Sequence, residues 1–244
     1  MFTGRKRYGM QKSWVALFIT LLIVIPTTIV WGMIIHLRFY NHLSSLVMLE
    51  IFVPYLLVFV RKKTKNIELI KISVLAIMVS ISRIAIPFQN FKPVFAIIML
   101  IGISFGPETG FVVGALSAFC RGFIYGHGPF TIWQMIAYGI AGVLAGICFA
   151  EKRMPKKNWV MGVFCFVCTV MFIGPVLDTS TLSVMDVNFT WESILPIYLS
   201  GIPVNVSQGT AGFITMLLFG NAILKQLKKI DSKYGMKETE EYIA

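Results

Sequence analysis

Gly102 to Gly146 reads GISFGPETGFVVGALSAFCRGFIYGHGPFTIWQMIAYGIAGVLAG, and this stretch decides the fold. Gly102 and Gly106, Gly110 and Gly114, and Gly142 and Gly146 form three G-x-x-x-G pairs, and Ala118 and Gly122 prolong the second series. Small residues four apart share one helix face and let backbones approach closely, the usual way helices pack inside a membrane. Gly126-His127-Gly128-Pro129 interrupts the helical pattern. Gly and Pro there fix a turn, and Phe130, Thr131, Trp133 and Gln134 follow at once. Aromatic and amide groups aimed from a fixed turn are what a small-molecule pocket requires.

Working outward, residues 14–35, 44–60, 67–87, 131–150, 159–177 and 203–224 are apolar runs long enough to cross a bilayer, or nearly so. The shorter runs 93–105 and 110–125 lie between them, joined at Gly106-Pro107-Glu108-Thr109-Gly110. They read as two crossings or as a re-entrant hairpin. The first run, followed by no small-residue cleavage site, reads as a span and not as a signal peptide.

Composition agrees with this reading. Of 244 residues, 57% are hydrophobic and 14% charged, far from the roughly 25% charged of soluble domains. Mean hydropathy is +0.78. A secreted disulfide scaffold, a disordered chain and a soluble enzyme are thereby excluded. The net charge of +11 has a topological origin, because 17 of the 22 basic residues fall in four clusters. These are Arg5 to Lys12, Arg61 to Lys65, Lys152 to Lys157, and Lys225 to Lys237. With eight crossings, or six and a hairpin, all four lie on one side, so both termini are expected in the cytoplasm. Anionic lipid suffices as their partner, and nucleic acid is not required.

On the opposite side, 178–202 carries Asp178, Asp186 and Glu192 with no Lys or Arg. It reads as an interfacial lid with a short amphipathic helix near 190–200, and Pro203 is expected at the first position of the last span. Enzymatic signatures are thin. No phosphate-binding G-x-x-x-x-G-K-[ST] motif is present, His36, His42 and His127 lack metal-ligand spacing, and Cys165 and Cys168 form a lone C-x-x-C inside an apolar run. Cys120 and Cys148 read as small packing residues, and no metal or cofactor is expected. Glu50 reads as a tolerated or interface-paired charge.

Polar and aromatic residues near the outer ends of the spans are the candidate ligand set: Asn90, Arg121, Tyr125, His127, Trp133, Gln134, Trp191 and Asn205. Arg83 is also near an outer end, where an arginine often only snorkels. A membrane enzyme or an envelope-assembly protein acting on an anionic lipid is the competing reading. Against an enzyme stands the lack of a carboxylate–histidine or nucleophile–base grouping near Arg83, Arg121 and His127.

The residues also carry a resemblance. The chain resembles the substrate-binding S component of energy-coupling factor (ECF) vitamin transporters, in the long group with two extra N-terminal helices. The matching positions are Phe105-Gly106, Gly110-Phe111, Gly114-Ala115, Gly126, Gly128-Pro129, Thr131 and Trp133-Gln134-Met135. Phe91-Lys92-Pro93, Thr190-Trp191-Glu192-Ser193 and the basic tail fit as well. Relatives commonly have Trp and Pro where this chain has Phe130 and Ile132, and a Ser-Asn pair where it has Arg121-Gly122, so substrate preference shifts if these side chains touch ligand.

The resemblance implies an all-α, multi-pass protein of the bacterial cell membrane. Residues 1–66 would form an N-terminal helix pair, and 67–244 a six-helix substrate-binding core with a cytoplasmic tail. It further implies capture of a vitamin from outside, cobalamin or a related corrinoid foremost, and no enzymatic activity of its own. Partners would be a transmembrane coupling subunit and two cytosolic ATPases. Small residues on the first core helix, Ser73, Ala76 and Ser80, are then expected to face the coupling subunit; they fall at i, i+3 and i+7 on one stripe.

Overall fold

A computed structural model of the chain describes residues 66–85, 91–126, 129–150, 153–185 and 190–235. The expected N-terminal helix pair lies outside the described residues, as do Asn90 and His127. All regular structure among the described residues is helical. The helices are α1 (Asn66–Ala85), α2 (Val94–Phe105), α3 (Pro107–Tyr125), α4 (Pro129–Cys148), α5 (Asn158–Cys168), α6 (Gly174–Met185) and α7 (Trp191–Gly235). A π-helical turn, Thr169–Ile173, joins α5 to α6 without a break. Among the described residues, three stretches are long and apolar enough to cross a membrane by themselves: Phe130–Cys148, Asn158–Thr181 and Trp191–Ile230. The protein is a polytopic all-helical membrane protein, and its exposed Ile, Val, Leu and Phe side chains are suited to lipid.

The short apolar run forms a buried helix. α2 has 12 residues, about 18 Å of helix, against a hydrocarbon layer of about 30 Å. It is enclosed by α4, α3 and α7. Ala96, Ile98, Met99 and Leu100 are wholly buried. Gly106 (φ 94°) then turns the chain directly into α3, with Pro107 at its first position, where a missing N–H costs nothing. A left-handed φ suits glycine, and no side chain is needed there because the space beside it is open.

The glycine pairs act as their spacing suggests. α3 and α4 make the most extensive helix contact in the structure. Gly102, Gly110 and Gly142 bring three helix backbones together, so that a Cβ on Gly110 would lie 2.8 Å from Gly102 Cα. A Cβ on Gly142 would overlap the Gly110 carbonyl.

Two expectations are corrected. Residues 178–185 belong to α6 and form no separate lid, and residues 186–189 lie outside the described residues. The last helix begins at Trp191 and runs 45 residues, about 67 Å, through Pro196 and Pro203. Pro203 is therefore an interior residue and not a helix start. The short helix expected near 190–200 is the first part of α7, continuous with the last span.

The two ends of the bundle differ. At one end, Lys156 Nζ lies 3.5 Å from the carbonyl oxygen of Ile103, near the C-terminus of α2, where a cation is favoured. The Lys156 pKa is held below the ordinary lysine value by burial and then by repulsion from Lys228, so the loop after α4 and the end of α7 share that face. Arg83, Lys92, Arg121 and Gln134 belong to the far end.

Candidate functional site

Gln134 and Tyr138 lie four residues apart on α4 and so share one face of it. Two arginines from different helices reach that face. Arg121 of α3 donates from Nη1 to Gln134 Oε1 at 2.5 Å. Its guanidinium also lies over the rings of Tyr125, at 5.3 Å, and Phe130, at 5.8 Å. Arg83 of α1 places its guanidinium 5.9 Å from the Tyr138 ring centre. Tyr138 is itself held from beneath by Phe95 of α2, edge to face at 5.2 Å. Cation–π contacts of this kind steady a guanidinium without neutralising it.

The electrostatics are one-sided. The Lys92 ammonium, in the segment before α2, has its pKa lowered first by partial burial and then by repulsion from Arg83 and Arg121. Three cations therefore act on one another, and no carboxylate is among the charged groups acting on them within the described residues. Arg121 Nε is buried without a hydrogen-bond partner, as is Trp133 Nε1. Buried donors left open in this way are costly and mark places where a ligand or water completes the bonding.

A second polar group sits between the last two helices. Asn205 of α7 donates from Nδ2 to Asp178 Oδ2 of α6 at 2.8 Å. Two turns toward the start of α7, Tyr198 and Thr179 share a hydrogen bond of 2.7 Å between their hydroxyls. The π turn lies immediately before α6, and such turns re-phase a helix and recur at functional sites. Among the described residues no group of three or more His, Cys, Asp and Glu gathers as a metal site would.

The structure thus brings Arg121, Tyr125 and Gln134 together, with Trp133 next to them on α4. Asn205 is buried, its amide donating to Asp178. Trp191 is 83% exposed at the start of α7. Of the stripe on α1, Ser73 is exposed. Ala76 is 1% exposed and packs inward, and buried Ser80 donates to the carbonyls of Ala76 and of Ser117 on α3. The ligand set drawn from the sequence left out Tyr138, Lys92 and Asp178, and also Phe130, although Phe130 was read as part of the turn. Tyr138 was detectable as the residue one turn beyond Gln134, and Asp178 as a carboxylate within reach of an apolar run. Lys92 carried no such signal.

Comparison with known proteins adds the following. The family model described as ECF-type riboflavin transporter, S component, matches residues 61–226, which include α1 to α6 and α7 as far as residue 226. A UPF0397 protein of Clostridium perfringens (strain SM101 / Type A) is 23% identical over 158 residues, which cover 64% of this chain and 82% of that protein. No solved structure matches.

Proposed function

The chain belongs to the family of ECF-type riboflavin transporter S components, and on that premise we propose that it captures a flavin-type vitamin at the far end of the bundle. It is a bacterial membrane protein and a transporter component, not an enzyme. The observation that carries the site is the convergence of Arg121 and Arg83 on the Gln134–Tyr138 face of α4. A flat heteroaromatic vitamin offers ring faces to Tyr125 and Phe130 and carbonyl acceptors to the open donors of Arg121 and Trp133. The far end faces the outside, as the basic clusters of the other end require if they stay in the cytoplasm.

Delivery falls to a transmembrane coupling subunit and cytosolic ATPases. The chain has no phosphate-binding loop, and that division of labour supplies one from elsewhere. Contact with the coupling subunit is made through α1, of whose small-residue stripe Ser73 is solvent-exposed while Ala76 and Ser80 are buried, Ser80 against α3. Riboflavin replaces cobalamin as the leading ligand because the matching family is described by riboflavin.

The test is direct. Purified alone in detergent, the chain should retain a yellow, fluorescent flavin that mass spectrometry identifies and that Gln134→Ala and Arg121→Gln release. Recovery of a corrinoid would restore cobalamin, and recovery of no small molecule after riboflavin titration would remove the flavin reading.

A further inference from the structure

The far-end site is chemically lopsided, and the imbalance bears on what form of substrate it holds. Arg83, Lys92 and Arg121 come from three separate segments: α1, the lead-in to α2, and α3. None is fully exposed. Arg121 and Arg83 reach successive turns of α4 at Gln134 and Tyr138, and Phe95, three residues after Lys92, packs on the same Tyr138 ring, which brings the Lys92 segment to that place. Bringing like charges together at a partly buried place is unfavourable, and a fold retains it where an anion completes the set. Within the described residues no carboxylate supplies that anion.

The hydrogen-bond inventory points the same way. Guanidinium and ammonium groups only donate. The one side-chain acceptor seen on Arg121, Gln134 Oε1, is already used by Nη1. Arg121 Nε is left buried and open. Tyr125, Phe130 and Tyr138 give the guanidiniums ring faces, which hold a cation while leaving its charge uncompensated. A neutral vitamin would satisfy some donors and leave three net charges facing one another.

Resting on the reading of this site as a vitamin pocket, we propose that Arg83, Lys92 and Arg121 form a subsite for an oxyanion on the transported molecule, a phosphate ester or a carboxylate. The substrate then enters as an anion. Its aromatic part lies toward Tyr125 and Phe130, and its charged group sits among the three cations. Arginine is suited to this because its planar fork pairs with two oxygens at once.

Riboflavin and riboflavin 5′-phosphate share the ring system and differ by the anion, so they are the probes. Dissociation constants of both are measured on the purified full chain, at low and at high salt, for the wild type, Arg83→Gln and Lys92→Gln. The phosphate form should bind about tenfold or more tighter than riboflavin in the wild type, with the preference shrinking at high salt. In each variant the ratio of the two constants should move toward one. Reading the ratio removes any general loss of folding or affinity. Equal or weaker binding of the phosphate form by the wild type, or an unchanged ratio in both variants, would overturn the proposal.

If neither flavin binds, the flavin reading fails separately. The subsite is then judged on the molecule that co-purifies. A small molecule bearing phosphate or carboxylate, displaced from Arg83→Gln, upholds the subsite; a neutral one, or a phospholipid, overturns it.

Discussion

Asn205 donates to Asp178 across the gap between α7 and α6, and two glycines make the room for it. A Cβ on Gly174 would overlap the Asn205 amide, and one on Gly201 would overlap the Asp178 carboxylate. Two long helices are thus locked at one level by a polar pair in largely apolar surroundings. Asp178→Ala leaves the buried Asn205 amide without its acceptor and should lower stability by about 1–3 kcal/mol, whereas Asp178→Asn keeps an acceptor and should lose less. Thermal melting in detergent distinguishes them; equal losses would mean that the pair does not join the helices.

Gln134 should matter twice, as a contact for ligand and as the acceptor that orients Arg121. Gln134→Ala is expected to weaken ligand binding by about 1–3 kcal/mol, and Gln134→Glu to blunt any preference for an anionic ligand by placing a carboxylate beside the guanidinium. Titration calorimetry on the purified chain measures both, and wild-type affinity in both variants would take Gln134 out of the site.

The meeting of Gly102, Gly110 and Gly142 allows no side chain. Gly142→Ala should force α3 and α4 apart and cost about 1–3 kcal/mol or more, since the atoms in the way are backbone and cannot swing aside. Gly106→Ala meets open space but must hold φ 94° and ψ 166°, a region essentially reserved for glycine, at a cost of about 1–3 kcal/mol with no backbone pushed aside. Melting temperatures should therefore fall further for Gly142→Ala; the reverse order would contradict the close approach.

Two substitutions on α1 separate packing from coupling. Ala76→Leu places bulk where α1 meets α3 and should lower yield and ligand binding together. Ser73→Leu adds bulk on the exposed face, so ligand affinity should stay near wild type while co-purification with the coupling subunit and uptake are lost. Uptake that survives Ser73→Leu would place the coupling contact elsewhere.

Orientation has its own check. In a chain stripped of Cys120, Cys148, Cys165 and Cys168, a cysteine at Asn188 should react with an impermeant reagent added outside, and one at Lys156 should not. The reverse labelling would turn the site toward the cytoplasm.

The sequence by itself determined the class of the protein and the neighbourhood of its site. Composition and runs of apolar residues fix an all-helical membrane protein, because a backbone in lipid must satisfy its own hydrogen bonds. Glycines four apart marked the α3–α4 seam, and the Gly126 turn marked the end where Arg121, Tyr125 and Gln134 meet. Tertiary structure decided the rest. Whether the run 93–105 crosses depends on what surrounds it, and only its enclosure by three helices shows a short buried helix. Pro203 looked like a helix start because local rules place proline there, yet neighbouring contacts carry the helix straight through it. Ala76 and Ser80 were small enough for either an outer or an inner contact, and packing against α3 placed them inward. Arg83 and Arg121 were legible as arginines at one end of the spans, but that Lys92 joins them was not, because charge couples through space and spacing along the chain does not report it.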